Sequence, residues 1–267
     1  MISTSSARSG SRISAGIWLA FWLLAATGSR LLTSGEFELQ QTLHPPLTSG
    51  GLLLLGADTF GRPLLTLVPR ASFGSLLFGT AALALSLVVC ISYGILAAFA
   101  PRWIQTLFAQ FLELLIGIPG LILALAIGAI QGPGWSTLLA ALILGILPGT
   151  ARLVQARTRE LLLEDYVTAA RALGAGRMHI TLKHLLRGLA PVITAKLPGL
   201  FAHCLLAEAT LSFLGVGAPL GSETWGALLA QGRDYLLEAP QIAFLGGIPL
   251  VLTLLAVQTL GDEQRRS

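Results

Sequence analysis

The sequence predicts an all-α integral membrane protein with about six transmembrane helices and both termini in the cytoplasm. Three observations predict it: a composition nearly free of charge, apolar stretches of bilayer length, and a one-sided distribution of positive charge. Of the 267 residues, 54% are hydrophobic and only 11% charged, and the mean hydropathy is +0.77. Soluble domains carry about 25% charged residues, so this chain cannot cover a globular surface with solvated groups. The net charge of +4 is read as topology rather than as affinity for nucleic acid, because basic residues collect on the cytoplasmic side of membrane proteins. Cys90 and Cys204 lie in apolar runs, where a thiol behaves as a small hydrophobe, and no disulfide is expected.

Crossing a hydrocarbon core takes about 20 mostly apolar residues. Segments that qualify are Ile13–Leu32, Ser72–Ala100, Thr106–Ile130, Ser136–Leu153, Pro191–Leu214 and Gln241–Leu260. The first could instead be a cleaved signal peptide, since small residues in "LLAATGS" follow its apolar core; its length favours a retained anchor. With a cytoplasmic N-terminus, the inside holds Arg8, Arg12, Arg102, Arg152, Arg157, Arg159, Arg171, Arg177, Lys183, Arg187, Lys196, Arg265 and Arg266. The outside keeps Arg30, Arg62, Arg70 and Arg233, so 13 of the 17 basic groups are inside. The reverse orientation would oppose the positive-inside rule. The stretches from Thr33 to Ala71 and from Gly215 to Pro240 are rich in Gly, Pro and polar residues, as outer aqueous loops should be.

Several chemistries are excluded or weakly supported. A P-loop needs a lysine directly after a glycine, but Lys183 follows Leu182 and Lys196 follows Ala195, so the chain carries no Walker-type motor. His179 and His184 are five apart and do not share an α-helical face as metal ligands at i and i+4 would. His203 beside Cys204 could touch a soft metal, although a His in a span more often bonds to a neighbouring helix. No local motif supports an intramembrane protease, which needs a nucleophile and base brought together. No catalytic and no metal site is expected.

Charge inside a bilayer costs at least a few kcal/mol, which draws attention to Glu113 in the third span and Glu208 in the fifth. They either line a polar translocation path or pair with Arg and backbone groups inside the bundle. Breakers within the spans, "GIPG" at Gly117–Gly120 and "LPG" at Leu147–Gly149 and Leu197–Gly199, point to irregular backbone, which is tolerated where it is buried or lines a wet cavity. Pro119 removes a backbone bond and kinks its helix.

One basic stretch remains, Asp165 to Pro191. Glu164 and Asp165 can favour a helix start. "YVTAARAL" follows with strong helix formers, and Ala169 and Ala170 leave one surface smooth. Gly174 and Gly176 supply the turn, and "RMHITLKHLLRGLA" restarts as an amphipathic helix with Ile180, Leu182, Leu185, Leu186 and Leu189 apolar. A short, smooth-faced helix held by a turn is suited to insert into a groove on a partner; lying on anionic lipid is the alternative.

This stretch resembles the cytoplasmic loop of inner-membrane permease subunits of binding-protein-dependent ABC importers. That loop reads Glu-Ala-Ala, three residues, Gly, nine residues, then a hydrophobic residue, any residue, Leu and Pro. Ala169, Ala170, Gly174 and Leu186 match it, while Thr168, His184 and Arg187 depart from it. The chain is most similar to the DppC-like permeases of dipeptide, oligopeptide and nickel importers. The likeness runs through "GADTFGRPLL" (Gly56–Leu65), "DYVTAARALGA", "LAEATLSFLGVG" (Leu206–Gly217), "WGALLAQGRDYL" (Trp225–Leu236) and "LGD" (Leu260–Asp262), with Pro63 where the family has an acid.

The resemblance implies a type I ABC importer permease of the bacterial inner membrane. Residues 1–33 would form the tail and first helix, 34–71 a periplasmic loop, 72–261 the permease domain with its coupling loop at 157–190, and 262–267 a tail. It implies an ATPase-coupling site at Asp165, Ala169, Ala170, Leu173, Gly174 and Leu186. Glu113, Pro119 and Glu208 are the candidates for the path. Partners would be a second homologous permease, two ATP-binding subunits that hold the ATP, a periplasmic solute-binding protein and the lipid bilayer, with no nucleic acid. The chain itself would be no enzyme and would hold no cofactor. Peptide is the first expectation for substrate and nickel or a metal chelate the second; a secondary transporter and a membrane scaffold are the readings from other classes.

Overall fold

Apolar length decides where the helices run, and proline and glycine decide where they stop. The computed structural model describes residues 55–219 and 221–264, together with Trp18, Ala20, Phe21, Trp22, Leu24 and Gly28 of the first apolar segment, all six helical. The exact ends of that segment, the outer loop before residue 55 and Arg265 and Arg266 lie outside the described residues. After a tight loop, α1 spans Leu64–Phe99 and α2 Arg102–Gly117. Next come α3, Gly120–Gln131, and α4, Trp135–Leu161. The cytoplasmic stretch contributes α5, Asp165–Ala172, α6, Arg177–Ile180, a π-turn at Thr181–Leu185, and α7, Leu186–Thr194. The chain ends with α8, Leu197–Phe213, α9, Trp225–Asp234, and α10, Pro240–Gln264.

Three of these helices are long and apolar enough to cross a membrane: Leu64–Phe99, Trp135–Leu161 and Pro240–Gly261. Two predicted spans are broken instead. α2 and α3 meet at 92° around Ile118 and Pro119, and the helix from Arg177 to Thr194 meets α8 at 65°. Counting each bent pair as one span gives up to five among the described residues. Both breaks fall next to a proline flagged by the sequence, where a missing N–H leaves a carbonyl without its donor. Pro191 starts no new helix: it lies inside α7, and the turn comes after Thr194. α1 also begins at Leu64 rather than near Ser72, because the outer loop ends at Pro63 and nothing in the next turn opposes helix.

Packing divides along the length of the bundle. On the side expected to be outer, Leu64, Leu67, Val68, Leu205, Trp225, Leu228 and Ile242 form one buried cluster, which Trp22 joins. Trp22 and Trp225 meet edge to face at 6.1 Å, and Trp18 Nε1 donates to Thr253 Oγ1 at 3.2 Å. The middle of α1, α4 and α8 holds a second cluster that contains both Cys90 and Cys204. On the side expected to be cytoplasmic, Ile95, Val154, Leu161, Val167, Ile180, Leu185 and Leu189 form a third. There each fully buried aliphatic side chain contributes about 1.5–3 kcal/mol. Within the bilayer, close packing and interhelical hydrogen bonds do that work instead, since lipid tails are as apolar as leucine.

Candidate coupling groove and translocation face

The cytoplasmic stretch folds back on itself as a groove. α5 begins without a side-chain cap: Glu164 sits at the N-cap position, but only its backbone carbonyl engages the helix, accepting from Val167 N and Thr168 N. The helix ends in a Schellman turn. Gly174 N–H donates to the Arg171 carbonyl and Ala175 N–H to the Ala170 carbonyl, both at 3.0 Å, with Gly174 at φ +86°. That left-handed conformation is why glycine is required there. Val167 and Ala175 turn inward to the cytoplasmic cluster, leaving Ala169, Ala170, Leu173 and Gly174 on the open side with Tyr166, Gly176, His179, Lys183 and His184. Together they line a groove of about 730 Å³. Leu173, at 90% exposure, has almost no partner within the chain.

The opposite wall depends on the π-turn. In an uninterrupted α-helix, residues at i and i+5 point in different directions; a π-turn adds one residue to the ladder. Ile180 and Leu185, five apart, are both buried in the cytoplasmic cluster. The same shift brings His179 and His184 to 6.2 Å between ring centroids, with Tyr166 at 5.6 Å from His184. This corrects the expectation that the two histidines lie on separate faces. Leu182 and Leu186, read as part of the apolar face, are instead 61% and 39% exposed. Of the expected coupling residues, the groove gathers four. Asp165 precedes Tyr166 in the first turn of α5, and Leu186 lies outside the groove on α7. Tyr166, His179, Lys183 and His184 were not anticipated there, since nothing in the residue pattern signals a π-turn. Among the described residues, no group of three or more His, Cys, Asp or Glu side chains could hold a metal ion.

The intramembrane acids part company. Glu113 is exposed on α2 and reaches Arg152 of α4 at 3.5 Å. Glu208 is fully buried. Its Oε1 accepts from Ser212 Oγ at 3.0 Å and from Thr224 Oγ1 at 2.9 Å. Thr224 in turn caps α9, accepting from Ala227 N at 3.1 Å. Ser212 Oγ accepts from Ala218 N, so the carboxylate ties both ends of the connection between α8 and α9. Gly226 must be glycine for this approach: a Cβ there would lie 2.7 Å from Oε1. Trp225 completes the seat, its backbone N donating to Ser75 Oγ and its Nε1 to Ser72 Oγ on α1.

Outside the spans, Asp58 explains the "GADTFGRP" stretch. Its buried carboxylate accepts from Phe60 N at 3.0 Å, from Arg62 N at 2.7 Å and from Arg62 Nε at 2.8 Å, while Arg62 Nη1 donates to the Gly221 carbonyl. Arg70 and Glu223 pair beside it at 3.6 Å. The outer entrance to α1 is thus buckled to the connection that Glu208 holds from below. Pro119 stands exposed at the 92° break.

A bundle of apolar helices with two broken spans, a buckled connection and an open groove rooted in the bundle defines a class: a multi-span membrane protein. Comparison with known proteins makes the class specific. Residues 90–262 match the family described as binding-protein-dependent transport system inner membrane component, and the chain belongs to that family.

A transport system permease protein of Brucella suis biovar 1 (strain 1330) is 36% identical over 252 residues, 93% of this chain and 84% of its own. The di/tripeptide transport system permease protein DppC of Pseudomonas aeruginosa (strain UCBPP-PA14) is 36% identical over 213 residues, 79% of this chain and 70% of its own. The dipeptide transport system permease protein DppC of Alkalihalophilus pseudofirmus is 30% identical over 250 residues, 93% and 82%. Among solved structures, the inward-facing MetNI methionine ABC transporter shares the fold, with a TM-score of 0.58 at 21% identity over 76% of this chain and 97% of that chain. The protein is therefore a permease subunit of the inner membrane and not an enzyme. Its family implies, in general terms, ATP-binding subunits, a partner permease and a solute-binding protein.

Proposed function

We propose that this chain forms half of the translocation path of an ATP-driven importer of small peptides, and that the groove along α5 receives an ATP-binding subunit. The observation that carries the reading is the groove's construction. Its outer rim exposes Leu173, while its inner side, through Val167, Ile180, Leu185 and Leu189, is buried against Ile95 of α1 and Val154 and Leu161 of α4. A push on the rim would move the cytoplasmic ends of two spans as one body. The names of its relatives supply the peptide, since two of those described above serve dipeptides or tripeptides.

In this reading Ala169, Ala170, Leu173 and Gly174 meet the ATP-binding subunit directly. Asp165 starts the helix that presents them, and Leu186 flanks the contact. A second permease completes the path, and a periplasmic binding protein delivers cargo to the surface buckled by Asp58 and Arg62. Pro119 and Glu113 belong to the broken face of the path, and Glu208 serves it indirectly by holding the outer connection. Both termini are cytoplasmic.

Replacing Gly174 by tryptophan tests the reading. The φ of +86° disfavours any side chain and the indole would intrude on the groove. Uptake and transport-stimulated ATP hydrolysis should both be lost while the chain stays in the membrane at normal abundance. Retention of both activities overturns the coupling assignment.

A further inference from the structure

A second cavity, of about 270 Å³, opens between α3, α4 and α8. Leucines and small residues share its walls, among them Leu142, Leu211, Ala124 and Gly145, and two polar groups, His203 and Thr210, stand on its α8 side. His203 and Thr210 are seven residues apart, two helical turns, and so lie on one stripe of α8. Both are exposed in the single chain. Thr210 donates to the Leu206 carbonyl of its own helix, and the imidazole of His203 has no hydrogen-bond partner among the described residues. An unpartnered imidazole on the middle of a span is costly against lipid. The neighbouring break between α2 and α3 is likewise tolerated only beside protein or water. This face therefore looks onto a path or a partner and not onto acyl chains.

Shape separates those two. A helix of a second permease would need an elongated strip several turns long, whereas this space is closed on three sides by separate helices and has the dimensions of a side chain or two. We propose that it is a cargo subsite. It would take an apolar side chain of a transported peptide between its leucine and small-residue walls, while His203 at its α8 edge hydrogen-bonds the peptide backbone. The subsite rests on the peptide-import reading above and goes beyond it, since it gives this chain its own selectivity in addition to that of the binding protein.

Gly145 provides the means to fill the cavity without disturbing the fold, because a Cβ there would meet nothing within 4 Å. The complete transporter, with its second permease, ATP-binding subunits and binding protein, is assayed for uptake of leucyl-leucine and of glycyl-glycine, each corrected for its affinity for the binding protein. For Gly145→Leu, leucyl-leucine uptake should fall about tenfold relative to glycyl-glycine, the size expected when an apolar side chain loses its pocket. His203→Ala should slow both peptides alike, and His203→Gln should restore both. An unchanged ratio in Gly145→Leu overturns the subsite, as does an equal loss of both peptides together with loss of the second permease from the purified complex, which would make the cavity a packing surface. If the wild-type transporter moves neither peptide, the peptide reading itself falls and the subsite with it. Normal wild-type uptake with an unchanged ratio removes the subsite alone.

Discussion

Glu208 is the residue whose role the structure sharpens most. An acid in a span suggests a path, yet its oxygen is taken up by Ser212 and Thr224, and it is buried beneath the start of α9. Removing it leaves two hydroxyls and a helix cap without their common acceptor, at a cost of about 1–3 kcal/mol. Glu208→Ala should lower the amount of folded permease in the membrane and its resistance to heating in detergent. Glu208→Gln keeps an oxygen at the same place and should preserve both abundance and uptake. A Gln variant with normal abundance and abolished uptake would instead put the carboxylate in the transport step. The sequence could show an acid in an apolar helix and leave both roles open; it could not show Thr224, sixteen positions on, turning back onto it.

At the scale of elements, the coupling stretch is legible in outline and hidden in detail. Two adjacent alanines, a glycine stop and a restarted helix follow from propensity and turn chemistry. The π-turn does not, because one added residue in a hydrogen-bond ladder leaves no mark in the spacing of apolar residues until the buried ones are known. Its consequence is a two-sided element whose faces should respond differently. Ala169→Trp, on the groove side, should leave the permease at normal abundance while the ATP-binding subunits no longer co-purify with it. Val167→Asp, on the buried side, places a charge in an apolar cluster at about 3 kcal/mol or more and should deplete the permease itself. If both variants lose the same thing, the groove has no separate docking side.

For the whole molecule, charge distribution makes the prediction. With the basic residues of α4 to α7 in the cytoplasm, Leu173 faces inward and Glu238, between α9 and α10, faces outward. In cells with an opened outer membrane, an impermeant maleimide should label Glu238→Cys from outside and reach Leu173→Cys only after the inner membrane is broken. The native thiols Cys90 and Cys204 are both buried and should stay silent, so neither needs removal. Labelling of both positions from the same side would refute the topology. The two broken spans belong to this scale too: a proline signals a kink, but whether it bends a helix slightly or turns it through 92° is set by what the next segment packs against.

The sequence by itself determined the class and the glycine stop of α5, and it set the expectations for orientation, for energy supplied by another chain and for the address of the coupling loop. Those features are sums or local rules: hydropathy over a bilayer's thickness, a count of positive charges on each side, a glycine where a helix must stop. Only the tertiary structure decided which loop residues form the groove, that His179 and His184 face one another, that Glu208 braces α9, and that His203 stands beside a cavity without a partner. These depend on contacts between residues far apart in the chain and on a one-residue shift in a helix, and neither is written in local pattern.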